Sequence, residues 1–434
     1  MLCGRLGPPV RIRASFMKYQ HRVLALLSTL AIITYLDRVC IAVAGPRMQD
    51  ALHISPQAWG WVMSVFFISY SAFEVPTGIL GDRIGPRRVL TRVVLWWSAF
   101  TSLTGAVVSY PLLLVVRFCF GAGEAGAFPN MAVVVGRWMP ATHRTRTFGI
   151  VWMMSQLGGA FAPLLVVPIM IHYGWQAAFY LFGGLGVIWA AVWYGWFRDF
   201  PSEQPGMPAA EIAEIGQPCL TPHTGLPWRL TLRSANLWRI MAIAACYVYS
   251  LAFFQSWFQT FLVRGRGFHE VDLMISTLPY LVGAACNILG GQASDRLIVR
   301  FGLKTGRKLV GVIGLGGAAL ALLGAILTTN AALTLVCFSL VYGGMTFQQP
   351  NVAAFCLDIG GRHGGAIYGF MNTAGNAAGA LSSVIFGYMV THYGNYTAPL
   401  IPMLLALVTG TVIWLTADPT REIFARAPEG ARVS

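Results

Sequence analysis

The chain has 434 residues, of which 56% are hydrophobic and 11% charged. A soluble globular domain carries about 25% charged residues, so a water-soluble fold is excluded. The formal net charge of +14 would suit a nucleic-acid partner. The basic residues, however, sit in short segments between long apolar runs, which is the pattern of membrane topology and calls for no nucleic acid.

Residues 1–22 hold Arg5, Arg11, Arg13, Lys18 and Arg22 and no acid. The first apolar run is too long for a cleavable signal and leads straight into Asp37. Met17 opens a more usual start for such a chain, so residues 1–16 are expected to be a tail outside the fold. Apolar runs long enough to cross about 30 Å of hydrocarbon follow. The first six lie at 20–44, 59–80, 89–110, 111–136, 147–171 and 175–197. Residues 198–235 carry six prolines and mixed charge and are expected to be a linker. Six more runs lie at 237–263, 273–294, 309–329, 331–357, 364–391 and 395–416. The expected architecture is all-helical and integral to the membrane, with twelve spans in two six-helix halves, 1–197 and 236–434.

Twelve spans put both termini on one side of the lipid bilayer. The tails and the loops on that side hold 25 of the 30 Lys and Arg. Arg47, Arg264 and Arg266 fall on the opposite side, and Arg38 and Arg117 fall within spans. Both termini are therefore expected in the cytoplasm, with the chain in the cell (inner) membrane. Trp59, Trp61, Trp138 and Trp175 lie near span ends and read as interfacial anchors. The eight cysteines show no CxxC spacing and read as small buried hydrophobes.

Five charged residues lie inside apolar runs: Asp37, Arg38, Glu74, Arg117 and Glu124. Each such charge costs roughly 2.5–3.5 kcal/mol near the bilayer centre, so a helix that only spans would avoid them. Their presence points to a substrate or ion pathway. The alternative is a neutralised pair that locks two helices together. Arg117 and Glu124 are seven apart, on one helix face and about 10 Å from each other. Gly121 between them leaves room for a helix or a ligand, and Gly123 and Gly126 let backbones approach. Two arginines facing one cavity suit a carboxylate, which a guanidinium binds bidentately. Burial favours the neutral form of Asp37 and Glu124, and neighbouring arginines favour the charged form. That balance suits acids that take up and release protons. All five charges lie in the first half. The second half offers the neutral groups Tyr247, Gln255, Gln348, Gln349, Asn351, Asn372 and Asn376, expected to read the hydroxylated end of a substrate. For any one Asn or Gln, a role as interhelical glue is at least as good a reading.

An internal repeat supports the two halves. Gly81-Asp82-Arg83 is echoed by Ser294-Asp295-Arg296, and Pro129-Asn130 by Pro350-Asn351. Parallel six-span repeats with a midplane site are an architecture of secondary transporters. The stretch Gly78-Ile-Leu-Gly-Asp82-Arg83-Ile-Gly85-Pro-Arg87-Arg88 resembles the loop signature of the major facilitator superfamily. Its weaker copy is Gly291-Gln-Ala-Ser-Asp295-Arg296, with Gly306-Arg307-Lys308 beyond. Glycines permit a tight turn close to a neighbouring helix, Asp82 can cap a helix start, and the basic cluster anchors one membrane face.

Within that superfamily the chain is similar to the anion:cation symporter family. The matching stretches are Tyr35-Leu-Asp37-Arg38, Tyr70-Ser-Ala-Phe-Glu74-Val-Pro76, Trp96-Trp97-Ser98 and Arg117-Phe-Cys-Phe-Gly121-Ala-Gly-Glu124. Members include bacterial galactonate, glucarate and hexuronate carriers and animal carriers of sialic acid and glutamate. The resemblance implies proton-coupled symport of an organic anion, a sugar acid, by a monomer without cofactor or metal. It assigns Arg38 to the substrate carboxylate and Asp37 and Glu124 to the protons. Arg117 would balance the acids. Tyr35, Tyr70, Gln156, Gln348 and Asn376 would complete the substrate contacts, with Glu74 facing an exit. An exporter or exchanger of the same fold is the alternative. Its glycine-proline signature is not clean here, since Gly158-Gly159-Ala-Phe-Ala-Pro163 differs in order and spacing. Sodium coupling is a further alternative. No nucleophile–base pair, metal cluster or phosphate loop suggests an enzyme.

Overall fold

The computed structural model describes residues 18–140, 143–216 and 227–424. Lipid offers no hydrogen bonds to the backbone, so each apolar run closes its own as a helix. The first half contains α1 (Tyr19–Ala51), α2 (Pro56–Ile84), α3 (Pro86–Gly105), α4 (Tyr110–Glu124), α5 (Ala127–Trp138), α6 (Arg144–Tyr173) and α7 (Trp175–Trp196). Two short helices follow, α8 (Ala209–Ile215) and α9 (Trp228–Arg233). The second half contains α10 (Ala235–Ser256), α11 (Phe258–Thr260), α12 (Thr277–Leu327), α13 (Ala331–Gly360), α14 (Gly364–Tyr393) and α15 (Leu400–Thr416).

Three runs are not single straight helices. The fourth span breaks between α4 and α5 at Ala125 and Gly126. The seventh breaks at Trp257 (φ −126°) and ends in a π-turn over Phe261–Gly265. α12 holds two spans joined at Gly302 (φ 80°, ψ 164°). A Cβ added at Gly306 would lie 2.7 Å from the backbone nitrogen of Ile298. In an unbroken helix residues eight apart lie about 12 Å apart, so the chain turns back here. Among the described residues, eight stretches are long and apolar enough to cross a membrane, and one of them is this double span. With α3, α14 and α15 they make twelve crossings.

An even count puts both ends of the described chain on one face, which we term the terminal face. The other is the far face. In the first half α1 packs on α6, α3 on α7 and α2 on α4. In the second, α10 packs on α14 and α15, and α12 on α13. The halves meet where α2 lies along α14 and α6 along α12. Glycines allow the closest approaches. A Cβ at Gly387 would lie 2.4 Å from the Pro56 carbonyl, and one at Gly60 2.6 Å from that of Ser383. Outward-facing apolar side chains such as Ile188, Leu320 and Leu405 stay exposed, as a lipid-covered surface requires.

The far face is tied across the halves. Arg47 of α1 pairs with Glu270 at 2.6 Å and donates to the Met170 carbonyl at 2.6 Å. Arg264 of the π-turn pairs with Asp50 of α1 at 2.5 Å. Arg266 donates to the Ala325 carbonyl at 2.8 Å. The three basic residues that break the charge bias are thus all engaged. On the terminal face α8 returns to the start of α1. Glu211 accepts from the Gln20 backbone nitrogen at 3.0 Å, and Lys18 pairs with Glu214 at 2.8 Å.

The tryptophan expectation needs correction. Of the four, Trp61 alone is exposed; Trp59 and Trp138 are fully buried and Trp175 nearly so. Trp59 packs on Gly45, and Trp138 lies tilted against Phe197 and donates to the Arg198 carbonyl at 3.1 Å. These rings fill gaps between helices at the span ends instead of anchoring at the lipid interface.

Candidate functional site

Arg38 comes from the middle of α1 and Glu124 from the last turn of α4. The Arg38 Nε donates to Glu124 Oε1, and the two form an ion pair. Glu124 is fully buried, and the Arg38 side chain is 12% exposed. The Arg38 guanidinium lies over Tyr70, Phe66 and Tyr35, 4.8, 5.2 and 5.4 Å from their ring centres. Arg117 is buried, over Phe120 at 4.7 Å and Phe66 at 5.1 Å. Phe66 therefore sits between the two cations, where aromatic faces are favourable for guanidinium groups. Gly121 makes this possible: its missing Cβ would lie 2.2 Å from Ser69 Oγ and 2.7 Å from the Phe66 carbonyl. The room left at Gly121 is filled by α2.

The ion pairing differs from the expected one. Arg117 and Glu124 share a helix, but Glu124 turns to α1. Asp37, next to Arg38 in sequence, points about 100° away around the helix. It is buried beside the Trp97 indole, and neither carboxylate oxygen makes a close hydrogen bond among the described residues. Arg38 Nη2, Arg117 Nε and Glu124 Oε2 are likewise buried and unpartnered. A small cavity is lined by Arg38, Arg117, Met63, Phe66 and Phe67 of the first half and Gln255 and Ser256 of the second. Unpaired buried polar atoms around a cavity between two halves are what a polar ligand would satisfy.

The structure brings Tyr35 and Tyr70 to Arg38 by their rings. The other expected substrate contacts have the following surroundings. Gln156 Oε1 accepts from the Tyr342 hydroxyl at 3.1 Å, joining α6 to α13. Gln348 is fully buried with its Cβ and Cγ against Gly314 of α12 and its amide unpartnered. Asn376 is half-buried on α14. Asn372, one turn earlier, donates to both oxygens of Glu74 at 2.7 and 2.6 Å. Glu74 is thus tied to the other half instead of standing free at an exit.

In the first loop motif, a Cβ at Gly78 would lie 3.2 Å from Pro129, and one at Gly81 only 1.9 Å from Asn130 Oδ1. Asn130 Nδ2 donates to the carbonyls of Gly126 and Thr77 at 2.7 and 3.2 Å. Gly85 takes φ 88°, open to glycine, and closes α2 against α3. Arg87 donates its backbone nitrogen to Asp199 at 2.8 Å and its guanidinium to the Tyr194 carbonyl at 2.6 Å. Arg83 and Arg88 are exposed. The side chain of Asp82 lies outside the described residues. The second copy is built differently: Asp295 and Arg296 are exposed, and the buried partners are their neighbours. Arg307 donates to Asp358 at 2.9 Å and to Ser294 Oγ at 2.9 Å. Asn351 Nδ2 donates to the Arg307 carbonyl at 2.8 Å.

Sequence reasoning missed Asp358, Asp199, Glu270 and Phe66. The basic exceptions Arg47 and Arg264 were the available signal for the far-face pairs. For Phe66 there was none, because helix rotation is set by packing.

A sequence profile of the Major Facilitator Superfamily matches residues 27–383. The chain is 32% identical over 409 residues to a probable sulfoacetate transporter, SauU, of Cupriavidus necator, covering 93% of this chain and 95% of that protein. It is 28% identical over 389 residues to the hexuronate transporter of Bacillus subtilis, covering 88% and 90%. Among solved structures it resembles a bacterial homolog of the human lysosomal transporter Spinster, with a TM-score of 0.73 and 18% identity, covering 92% and 97%.

Proposed function

This chain belongs to the major facilitator superfamily, among its anion transporters, and from that premise we propose that it moves an organic anion together with protons by alternating access. The observation that carries the reading is the buried Arg38–Glu124 pair beside the unpartnered oxygens of Asp37. A carboxylate oxygen without a donor is costly to keep charged in a buried site, and a proton removes that cost. Arg38 holds the anion with the donors that Glu124 leaves free. Asp37 and Glu124 carry the protons, and Arg117 adds the second positive charge. Glu74, held by Asn372, ties the halves on the terminal side of this site.

Residues 1–197 and 236–434 are the two moving bodies, linked by 198–235. The far-face ion pairs hold this conformation closed on that side. On this reading the terminal face is cytoplasmic, as the basic bias favours, and the protein works as a monomer in the cell (inner) membrane. The relatives' names span several cargo classes, ascorbate and phosphate among them, of which we weigh two, a sugar acid of the hexuronate kind and a short sulfonated acid.

The test is uptake by proteoliposomes of purified protein, with a panel of radiolabelled organic anions. An inward-directed proton gradient is expected to drive accumulation of at least one of them. Accumulation that follows a sodium gradient and ignores the proton gradient would replace the coupling ion. No uptake or exchange of any anion would overturn the reading.

A further inference from the structure

The walls of the Arg38 cavity suit one class of anion better than the other. A sugar acid brings one carboxylate and several hydroxyls, and each hydroxyl buried without a partner costs about 1–3 kcal/mol. Most of the amides able to meet those hydroxyls are engaged elsewhere, and the unpartnered Gln348 amide and Asn376 do not line the cavity. Gln156 is held by Tyr342, Asn372 by Glu74 and Gln349 by Asn287. Asn351 is part of the Arg307 network. Of the two polar groups on the cavity wall, Ser256 Oγ already shares a hydrogen bond with Ser383 Oγ at 3.3 Å, which leaves Gln255. The remaining walls are Met63, Phe66 and Phe67.

The donors, by contrast, are two guanidinium groups. Arg38 keeps Nη2 free, and Arg117 keeps Nε free; both atoms are buried and unpartnered. Both residues line the same cavity. Guanidinium donors match planar carboxylates and tetrahedral sulfonates in charge and geometry, not hydroxyl chains. When Asp37 and Glu124 each take one proton from water, Arg38 and Arg117 carry two positive charges, of which Glu74, held by Asn372 within electrostatic reach of Arg38, offsets a part. A dianion brings one negative charge to each guanidinium, and both protons are returned to water on the other side with the cargo.

We infer that the cargo is a short dianion, with two acidic groups on a body of a few carbons, one group at Arg38 and the other at Arg117. This rests on the anion-transporter reading above and deepens it by naming the cargo class. Gln255 reads the middle of the cargo, and the Phe66 and Phe67 rings cover its methylene groups.

The experiment measures binding to the purified full-length protein of sulfoacetate, malonate and succinate, against glucuronate and acetate. At least one short dianion is expected to bind about tenfold or more tighter than either monoanion, the size of one charge-assisted contact. In Arg117→Gln the ratio of dianion to acetate affinity is expected to fall towards one. Glucuronate binding as tightly as the best dianion would overturn the inference and keep the anion-transporter reading. So would a wild-type ratio surviving in Arg117→Gln. The wild-type panel decides the matter even where that variant does not fold. Binding of none of the five would overturn both.

Discussion

Glu124 pairs with Arg38, 86 residues away on another helix, and not with Arg117 on its own. The pair joins the first span to the fourth and, among the described residues, leaves Arg117 without a direct ion pair, with Asp37 and Glu124 acting on it from farther off. One guanidinium is thus half-committed and the other uncommitted, both facing the same cavity. That arrangement underlies the proposal that the site receives negative charge, whereas two matched pairs would make it a closed structural lock.

The Arg38 fork serves two masters, with Nε on Glu124 and the far nitrogens on the cavity. A lysine ammonium is a point charge and cannot keep both contacts in the plane of a carboxylate. Arg38→Lys is expected to weaken substrate binding about tenfold or more with normal expression. Equilibrium binding on purified protein checks this. Unchanged affinity would move the primary anion contact to Arg117.

The far-face pairs Arg47–Glu270 and Arg264–Asp50 are partly exposed, so each contributes only about 0.2–1 kcal/mol. Removing both in Arg47→Ala/Arg264→Ala is expected to shift the population towards a far-face-open state roughly two- to thirtyfold. Spin-label distances across the far face read the shift. An unchanged distance distribution would show that these pairs do not hold the gate.

The second loop motif separates sequence pattern from structure. Asp295 matches the pattern but is exposed, whereas Asp358 accepts the buried Arg307. Asp358→Asn is expected to destabilise the protein by about 1.5–3 kcal/mol, the worth of a hydrogen bond to a charged group. Asp295→Asn is expected to change stability by less than about 0.5 kcal/mol. Thermal unfolding in detergent distinguishes them, and a larger effect at Asp295 would reverse the assignment.

How much was legible follows from the kind of signal. Apolar length is set by bilayer thickness alone, so the spans could be read from composition. The helix breaks at Ala125–Gly126 and Trp257 carry no proline, and the apolar run passes through them unmarked. The charges Asp37, Arg38, Arg117 and Glu124 stood out because hydrocarbon penalises them. Which of them pair depends on how α1 and α4 rotate, and that depends on Gly121 admitting Phe66 of α2. The same holds for Asn372, whose partner Glu74 is 298 residues away. Tryptophans near span ends look alike in sequence whether they face lipid or fill a gap, and three of the four fill gaps.

Gly290 tests the close packing of the second half. An added Cβ there would lie 1.8 Å from the Phe347 carbonyl, which is backbone and cannot swing away. Gly290→Ala is expected to push α12 and α13 apart and destabilise by about 1–3 kcal/mol. A melting temperature equal to that of the wild type would contradict this packing.

In the proposed cycle Glu124 links proton movement to the anion held by Arg38. Glu124→Gln keeps nearly the same shape and fixes the neutral form. Exchange of labelled for unlabelled anion needs no net proton movement, whereas accumulation driven by a pH gradient does. The most direct measurement compares counterflow with pH-driven uptake in the same Glu124→Gln proteoliposomes. Counterflow is expected to persist and pH-driven accumulation to disappear. Full pH-driven accumulation in this variant would contradict the account and leave the Arg38–Glu124 pair with a structural role only.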